Sequence, residues 1–76
     1  MLNTTLERHD LHGRLDQKWH ELDERTRAAR VLDAECNDLS KTLREREYAG
    51  RAARIQWLAV GRLYKEIAHI RAELNG

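Results

Sequence analysis

The sequence has little of what usually closes or punctuates a small fold. Proline and phenylalanine are absent, cysteine occurs once and glycine four times. A single cysteine excludes an internal disulfide, and no CxxC pair offers the ligand spacing of a structural zinc site. No run alternates apolar with polar residues, so strands are not expected. The chain is instead rich in Ala, Leu, Glu and Arg, which favours helix from end to end.

Long hydrophobic runs are also missing. No segment approaches the roughly 18 consecutive apolar residues of a membrane span, so no membrane partner is expected. Polar and charged residues follow Met1, so we expect no signal peptide. Together with the single thiol, this favours a cytoplasmic protein. A single domain of 76 residues, spanning 1–76, buries little apolar surface. Oligomerisation is the expected support, since neither disulfide nor zinc is at hand.

Charge is mixed in sign and unevenly placed. Residues 1–38 carry six basic and nine acidic side chains, a balance of −3, and residues 39–76 carry eight and four, a balance of +4. Two halves of opposite sign would attract each other in an antiparallel pair. The alternative is a solvated surface on which the difference has no structural role.

Apolar residues in the first half keep a seven-residue repeat typical of a coiled-coil seam. The helix is expected to begin near Thr4 and Glu7, which have the spacing of a capping box. Two sets of positions carry the repeat, with polar interruptions at Lys18 and Arg25. The sets are Leu15, Leu22, Ala29, Cys36 and Leu43, and Leu11, Lys18, Arg25, Leu32 and Leu39.

The second half predicts a helix with a wider apolar face. At about 100° per residue the apolar side chains of residues 52–74 fall on one side, with Trp57 and Tyr64 along its border. This arc covers roughly half the circumference, whereas a surface helix needs only about a 100° stripe. We therefore expect the helix to pack against more than one neighbour, including a second copy of the chain. The arc contains Ile55, Val60, Leu63, Ile67, Ile70 and Leu74.

Gly50 is the predicted turn, because glycine commonly ends helices in the left-handed conformation. The expected elements are a helix over about 5–48, a turn near 49–51 and a helix over about 51–74. The alternative is one continuous or kinked helix, about 105 Å long at 1.5 Å per residue, since the heptad phase carries across the glycine. Helices of that length are rare, which favours the hairpin.

The predicted fold is therefore all-α, an antiparallel helical hairpin that dimerises into a four-helix bundle. The alternative remains a single long helix in a coiled coil. The predicted oligomer core is Leu15, Leu22, Leu32, Leu39, Leu43, Val60, Leu63, Ile67, Ile70 and Leu74.

No constellation in the sequence carries catalytic or metal chemistry. His12, Asp16 and His20 are spaced i, i+4, i+8, but three ligands strung along two helical turns do not converge on one zinc or nickel ion. Cys36 has neither a base nor an electropositive pocket predicted beside it, so we interpret it as a small core residue. We predict no enzyme, no catalytic residue, no metal and no cofactor.

A basic stripe about 27 Å long, from 18 residues at 1.5 Å each, lies opposite the apolar arc of the second helix. Such a stripe could track the phosphates of RNA or DNA. It could equally be solvated, or pair with the acidic first half. Leu58 lies within it and Trp57 beside it, which suits a protein contact. The cations are Arg51, Arg54, Arg62, Lys65 and His69.

The predicted function is a small non-enzymatic regulator or inhibitor that binds itself, as a homodimer, and another, unidentified protein. One alternative is a nucleic-acid-binding regulator that uses the basic helix face. The other is a structural coiled-coil element for scaffolding or assembly. The size would also suit an accessory protein of a phage or plasmid. The predicted partner-binding residues are Arg51, Arg54, Trp57, Leu58, Arg62, Tyr64 and Lys65.

Overall fold

The computed structural model describes residues 5–76, which form two long helices joined by a short loop. Helix α1 spans Thr5–Cys36 and helix α2 spans Leu43–Asn75. They are antiparallel, since Arg8 near the start of α1 donates to the carbonyl of Leu74 at the end of α2, at 3.1 Å. The Cα trace measures 57 × 14 × 12 Å. Without any strand in the described part of the chain, the predicted all-α helical hairpin is confirmed, and the single continuous helix is wrong.

The turn occupies residues 37–42, and its predicted place near 49–51 is wrong. Asp38 organises it, because its Oδ1 accepts from the backbone N–H of Ser40 at 3.0 Å and from its hydroxyl at 2.6 Å. Asn, Asp and Ser side chains favour turns through such short-range bonds to the backbone. The first helix therefore ends at Cys36 rather than near residue 48.

Helix α2 begins with an N-cap that has the sequence of a capping box. Thr42 is the N-cap, with φ −68° and ψ 158°, and its Oγ1 accepts from the backbone N–H of Glu45 at 3.1 Å and donates to the Glu45 carboxylate at 3.1 Å. A Thr at the cap and a Glu three residues later is the sequence signature of this motif. At the start of α1, Glu7 lies in the first turn. Thr4, predicted as its capping partner, lies outside the described residues.

Gly50 lies inside α2 and serves close packing. No glycine among residues 5–76 has a positive φ, so the left-handed conformation expected of a turn glycine does not occur. A Cβ at position 50 would lie 3.1 Å from Cys36 Sγ. Glycine therefore lets α2 approach the end of α1 closely, just past the turn. Arg46 Nε also donates to the Cys36 carbonyl at 2.9 Å and satisfies a terminal acceptor of α1.

The core runs along one stripe of each helix. Leu22 packs with residues from the middle of α2, Leu11 packs with residues from its end, and Leu15 touches both groups. Towards the turn the buried side chains are alanines, so the two helices can approach closely there. The buried residues are Leu11, Leu22, Ala29, Ala49, Ala53, Val60, Leu63, Ile67, Ile70 and Leu74.

Most of the predicted oligomer core is buried within one hairpin. Leu15 and Leu32 are partly buried. Leu39 and Leu43 are exposed, because the turn places them in the loop and in the first turn of α2. Their burial against a second chain stays a prediction. The predicted core residues buried in the hairpin are Leu22, Val60, Leu63, Ile67, Ile70 and Leu74.

The apolar arc of α2 is narrower than predicted. Ile55 is 65% exposed, so its assignment to the arc with the core residues is wrong for the hairpin. At about 100° per residue it lies about 140° around the helix from Val60, and a single neighbouring helix covers only a stripe. Ile55 therefore joins the face of α2 that points away from α1.

Candidate partner-binding face

All seven predicted partner-binding residues are exposed on α2, and they fall on two different surfaces. Arg51, Leu58, Arg62 and Lys65 lie on the side opposite the core, with Arg54 beside them. Trp57 and Tyr64 instead lie on one flank, near the groove between the helices. The sequence interpretation treated these surfaces as one.

The side opposite the core carries a regular row of exposed side chains, here called the outer row. Successive members alternate steps of four and three residues along α2. This spacing places side chains above one another on a helix and is the repeat of a coiled-coil seam. Its length is about 38 Å, from 25 residues at 1.5 Å each. The outer row consists of Arg44, Tyr48, Arg51, Ile55, Leu58, Arg62, Lys65 and His69.

The middle of the outer row is apolar. Tyr48 is 74% exposed, and Ile55 and Leu58 are each 65% exposed. Isolated exposed apolar side chains are ordinary on protein surfaces, but Ile55 and Leu58 are consecutive on this row and Tyr48 lies on it just beyond Arg51. Tyr48 and Ile55 are absent from the sequence-based prediction. A second seven-residue repeat, traced outside the core, would have found them.

The outer row is also positively charged. Among the described residues, Arg44, Arg51, Arg62 and Lys65 have no hydrogen-bond or ion-pair partner. Glu47 is the acidic residue that flanks the first turns of the row. The apolar middle therefore lies between cations that are available to an incoming group.

One flank of the hairpin, here called the aromatic edge, carries Trp19, Trp57 and Tyr64. Trp57 Nε1 donates to Asp33 Oδ2 across the groove at 2.9 Å, which fixes the indole against α1. Tyr64 lies seven residues after Trp57 on α2, and Trp19 lies fourteen residues before Asp33 on α1. Because seven residues are close to two helical turns, Tyr64 and Trp19 lie on the same flank as the Trp57–Asp33 pair. All three rings are exposed.

Polar contacts across the hairpin fix the register of the two helices. Lys18 Nζ lies 2.7 Å from Glu66 Oε2, and the Arg25 guanidinium donates to the side-chain amide oxygen Oε1 of Gln56 at 3.1 Å. The hydrogen bond to Glu66 is the main reason that the pKa of Lys18 lies above its ordinary value, with the charge of Glu66 adding to it. The pair takes its base from the acidic half and its acid from the basic half, the reverse of the attraction expected between the halves.

The described residues were also compared with the requirements of a metal site and of a membrane-spanning helix. Residues 5–76 contain no group of three or more His, Cys, Asp or Glu side chains placed to hold a metal ion. His20 lies 3.1 Å from Glu24 and so turns towards its own next turn. Neither described helix combines the length and apolarity needed to cross a membrane.

Comparison with protein-family models, curated proteins and solved structures found no match to this chain.

Proposed function

We propose that this protein is a non-enzymatic regulator or inhibitor that binds another protein through the outer row of α2. The observation that carries the proposal is the apolar middle of that row, which faces away from the core at heptad spacing. Helices recognise grooves and other helices through such rows of anchors. A patch of apolar side chains rimmed by polar ones is typical of an interaction surface. We place the protein in the cytoplasm, since its only thiol, Cys36, has no second cysteine in its chain.

The hairpin presents this row on a rigid support. Helix α2 is held along its length by core contacts and by the Lys18–Glu66 pair, so little conformational entropy is lost when a partner binds. Tyr and Arg side chains are enriched among residues that dominate binding energy. Tyr48 and Arg62 can therefore anchor a partner on either side of Ile55 and Leu58. The protein would regulate its partner by covering a surface that the partner needs for another interaction.

The test replaces Leu58 and Arg62 together by serine. The double variant should lose the protein captured from a lysate by the wild type, with an unchanged far-UV circular dichroism spectrum. A matched control on α1, with Val31 and Arg30 changed to serine, should retain it, because both residues are exposed away from the row. Undiminished capture by the Leu58 and Arg62 variant would show that the partner binds elsewhere.

We also propose that two hairpins pair side by side into a four-helix bundle through the aromatic edge. Trp and Tyr bury large areas and are enriched at interfaces. Gly61 lies beside Trp57 and Tyr64 on α2, and a Cβ there would meet no described atom within 4 Å beyond its chain neighbours and its own helix backbone, so a second chain can approach closely.

Small-angle X-ray scattering on the size-exclusion peak tests the dimer. A side-by-side pair should have twice the mass of the chain and a length near that of one hairpin, whose Cα trace extends 57 Å. A monomer mass would contradict the pairing. A rod much longer than a hairpin would favour the alternative of a scaffolding or assembly element.

The second candidate function is nucleic-acid binding, favoured by the unpartnered cations of the outer row. Neutralisation of phosphates by Arg44, Arg51, Arg62 and Lys65 would give an affinity that falls steeply with salt. The exposed Ile55 and Leu58 make this the weaker candidate, because phosphates offer them no apolar contact. No shift of RNA or duplex DNA at low salt would eliminate it.

A further inference from the structure

We propose that the occupant of the outer row is an acidic amphipathic helix of a partner protein. This inference rests on the proposed function and names the chemistry of the partner. Three properties of the row support it: its spacing, its charge and its mismatch with a second copy of the chain.

The spacing favours a helix as the occupant. Steps of four and three residues produce a straight seam into whose holes the side chains of a second helix insert. The row from Tyr48 to Lys65 covers 17 residues, about 26 Å at 1.5 Å per residue. A partner helix of about five turns, with apolar residues at heptad spacing, would cover the middle of the row.

The charge favours acidic flanks on that helix. Arg51 precedes the Ile55–Leu58 pair and Arg62 follows it, and neither has a partner within residues 5–76. Lys65 extends the positive charge by another turn. Arg51 and Arg62 lie on the seam at either end of its apolar pair, and charged groups across an interface are arranged so that positive charge meets negative charge. Glu or Asp opposite these arginines would meet cations on both sides of the apolar contact.

A second copy of this chain does not fit the row. An antiparallel pair centred between Ile55 and Leu58 would set Arg51 of each chain opposite Arg62 of the other. A parallel pair in register would set each arginine against its own symmetry mate. Like charges opposite one another are unfavourable and exclude wrong partners.

Helix α1 of a second copy is also a poor match. Away from the aromatic edge, the large apolar side chains that α1 exposes in the described chain are Leu6 and Val31. These are 25 residues apart, so they cannot both contact the three-residue step from Ile55 to Leu58. The partner is therefore a different protein.

A peptide-display selection tests the occupant directly. The probe is a library of 21-residue heptad peptides with Leu or Ile at the seam and Glu, Lys, Gln or Ser at the flanking positions. Selection on the wild-type protein should enrich Glu at the flanks. Reversing Arg51 and Arg62 to glutamate should weaken the selected peptides by about tenfold or more. Peptides with lysine in place of glutamate should then regain the lost affinity on that variant.

The matched control reverses Arg27 and Arg30 on α1, which changes net charge equally and should leave peptide binding unchanged. Flanks without acidic bias, or peptides indifferent to the Arg51 and Arg62 reversal, would overturn the acidic helix. If lysate capture still depended on Leu58 and Arg62, the proposed function would survive that result. If no peptide were recovered, and RNA bound to the wild type but not to the variant with Arg51 and Arg62 reversed, the proposal of a protein partner would be overturned in favour of nucleic acid.

Discussion

Replacing Gly50 by alanine tests the close packing of α2 against the end of α1, a feature that the sequence did not predict. Within a helix, alanine is favoured over glycine by about 0.8–1.0 kcal/mol. The new Cβ would lie 3.1 Å from Cys36 Sγ, which is shorter than the ordinary contact range of 3.4–4 Å. The sulfur must therefore move, and part of the helical gain is lost. We expect Gly50→Ala to stabilise the protein by clearly less than the full propensity difference.

The second half of the test is a double-mutant cycle with Cys36→Ala, which removes the sulfur. In that background Gly50→Ala should give the full gain of about 1 kcal/mol. The difference between the two backgrounds is the coupling energy, and contacting residues typically couple by about 0.5–3 kcal/mol. Gly61→Ala is the control, since beyond its chain neighbours and its own helix backbone no described atom lies within 4 Å of the new Cβ, so the full gain should appear in both backgrounds.

Thermal and urea unfolding followed by far-UV circular dichroism measure these differences, at one chain concentration because association shifts apparent stability. A change of 1 kcal/mol moves Tm by roughly 4–8 °C in a domain of this size. A left-handed turn at Gly50 would make alanine destabilising by about 1–2 kcal/mol with or without Cys36. In a continuous helix the two residues would lie about 21 Å apart and show no coupling. Either result would refute the close approach of α1 and α2 at this point.

Two further predictions concern the core and the turn. Ile67→Asp should unfold the protein, because Ile67 is 2% exposed and even truncation of a buried isoleucine to alanine costs about 2–5 kcal/mol. Ile55→Asp is the control at an exposed position. Unchanged helicity of the Ile67 variant would place the core elsewhere. The pKa of Asp38 lies below its ordinary value of 3.8 because the Ser40 hydroxyl and backbone N–H donate to the carboxylate. The stability this adds is therefore present above pH 3.8 and lost as pH falls through the lowered pKa. Ser40→Ala should raise the pKa of Asp38 in an NMR titration, and an unmoved midpoint would refute the contact.

Helical periodicity was enough to predict the fold class and most of the core. Val60, Leu63 and Ile67 recur at helical spacing, and any partner of α2 must cover that stripe. The turn was misplaced because Gly50 served as the turn signal, although the side chains of Asp38 and Ser40 could form the hydrogen bonds of a turn. The Asp38–Ser40 segment and the Thr42 N-cap with Glu45 three residues later both precede Gly50, and together they specify a chain reversal without any left-handed residue.

The candidate site was predicted only in part, again because the packing of α1 against α2 was not known. Hydrophobicity alone assigned Ile55 to the core arc, although a hairpin covers only a stripe of each helix. Once α1 occupies that stripe, Ile55 and Leu58 must face outward with the arginines. Helix geometry sets the consecutive residues Trp57 and Leu58 about 100° apart wherever the chain turns, but which of them borders the groove depends on where α1 packs, and α1 could not be placed while the turn was misplaced.

The division of α2 into three faces would let so small a chain combine the proposed self-association with the proposed partner binding. Its core stripe meets α1, its aromatic edge lies along the groove, and its outer row points away from both. Small domains of this length rarely gain more than about 3–5 kcal/mol from a single core, and three of the ten buried residues here are alanines. Each further contact that forms only with the folded hairpin stabilises it by mass action. A ligand on the outer row should therefore raise Tm as its concentration rises, and the Leu58 and Arg62 double variant should lose that increase while keeping its own Tm.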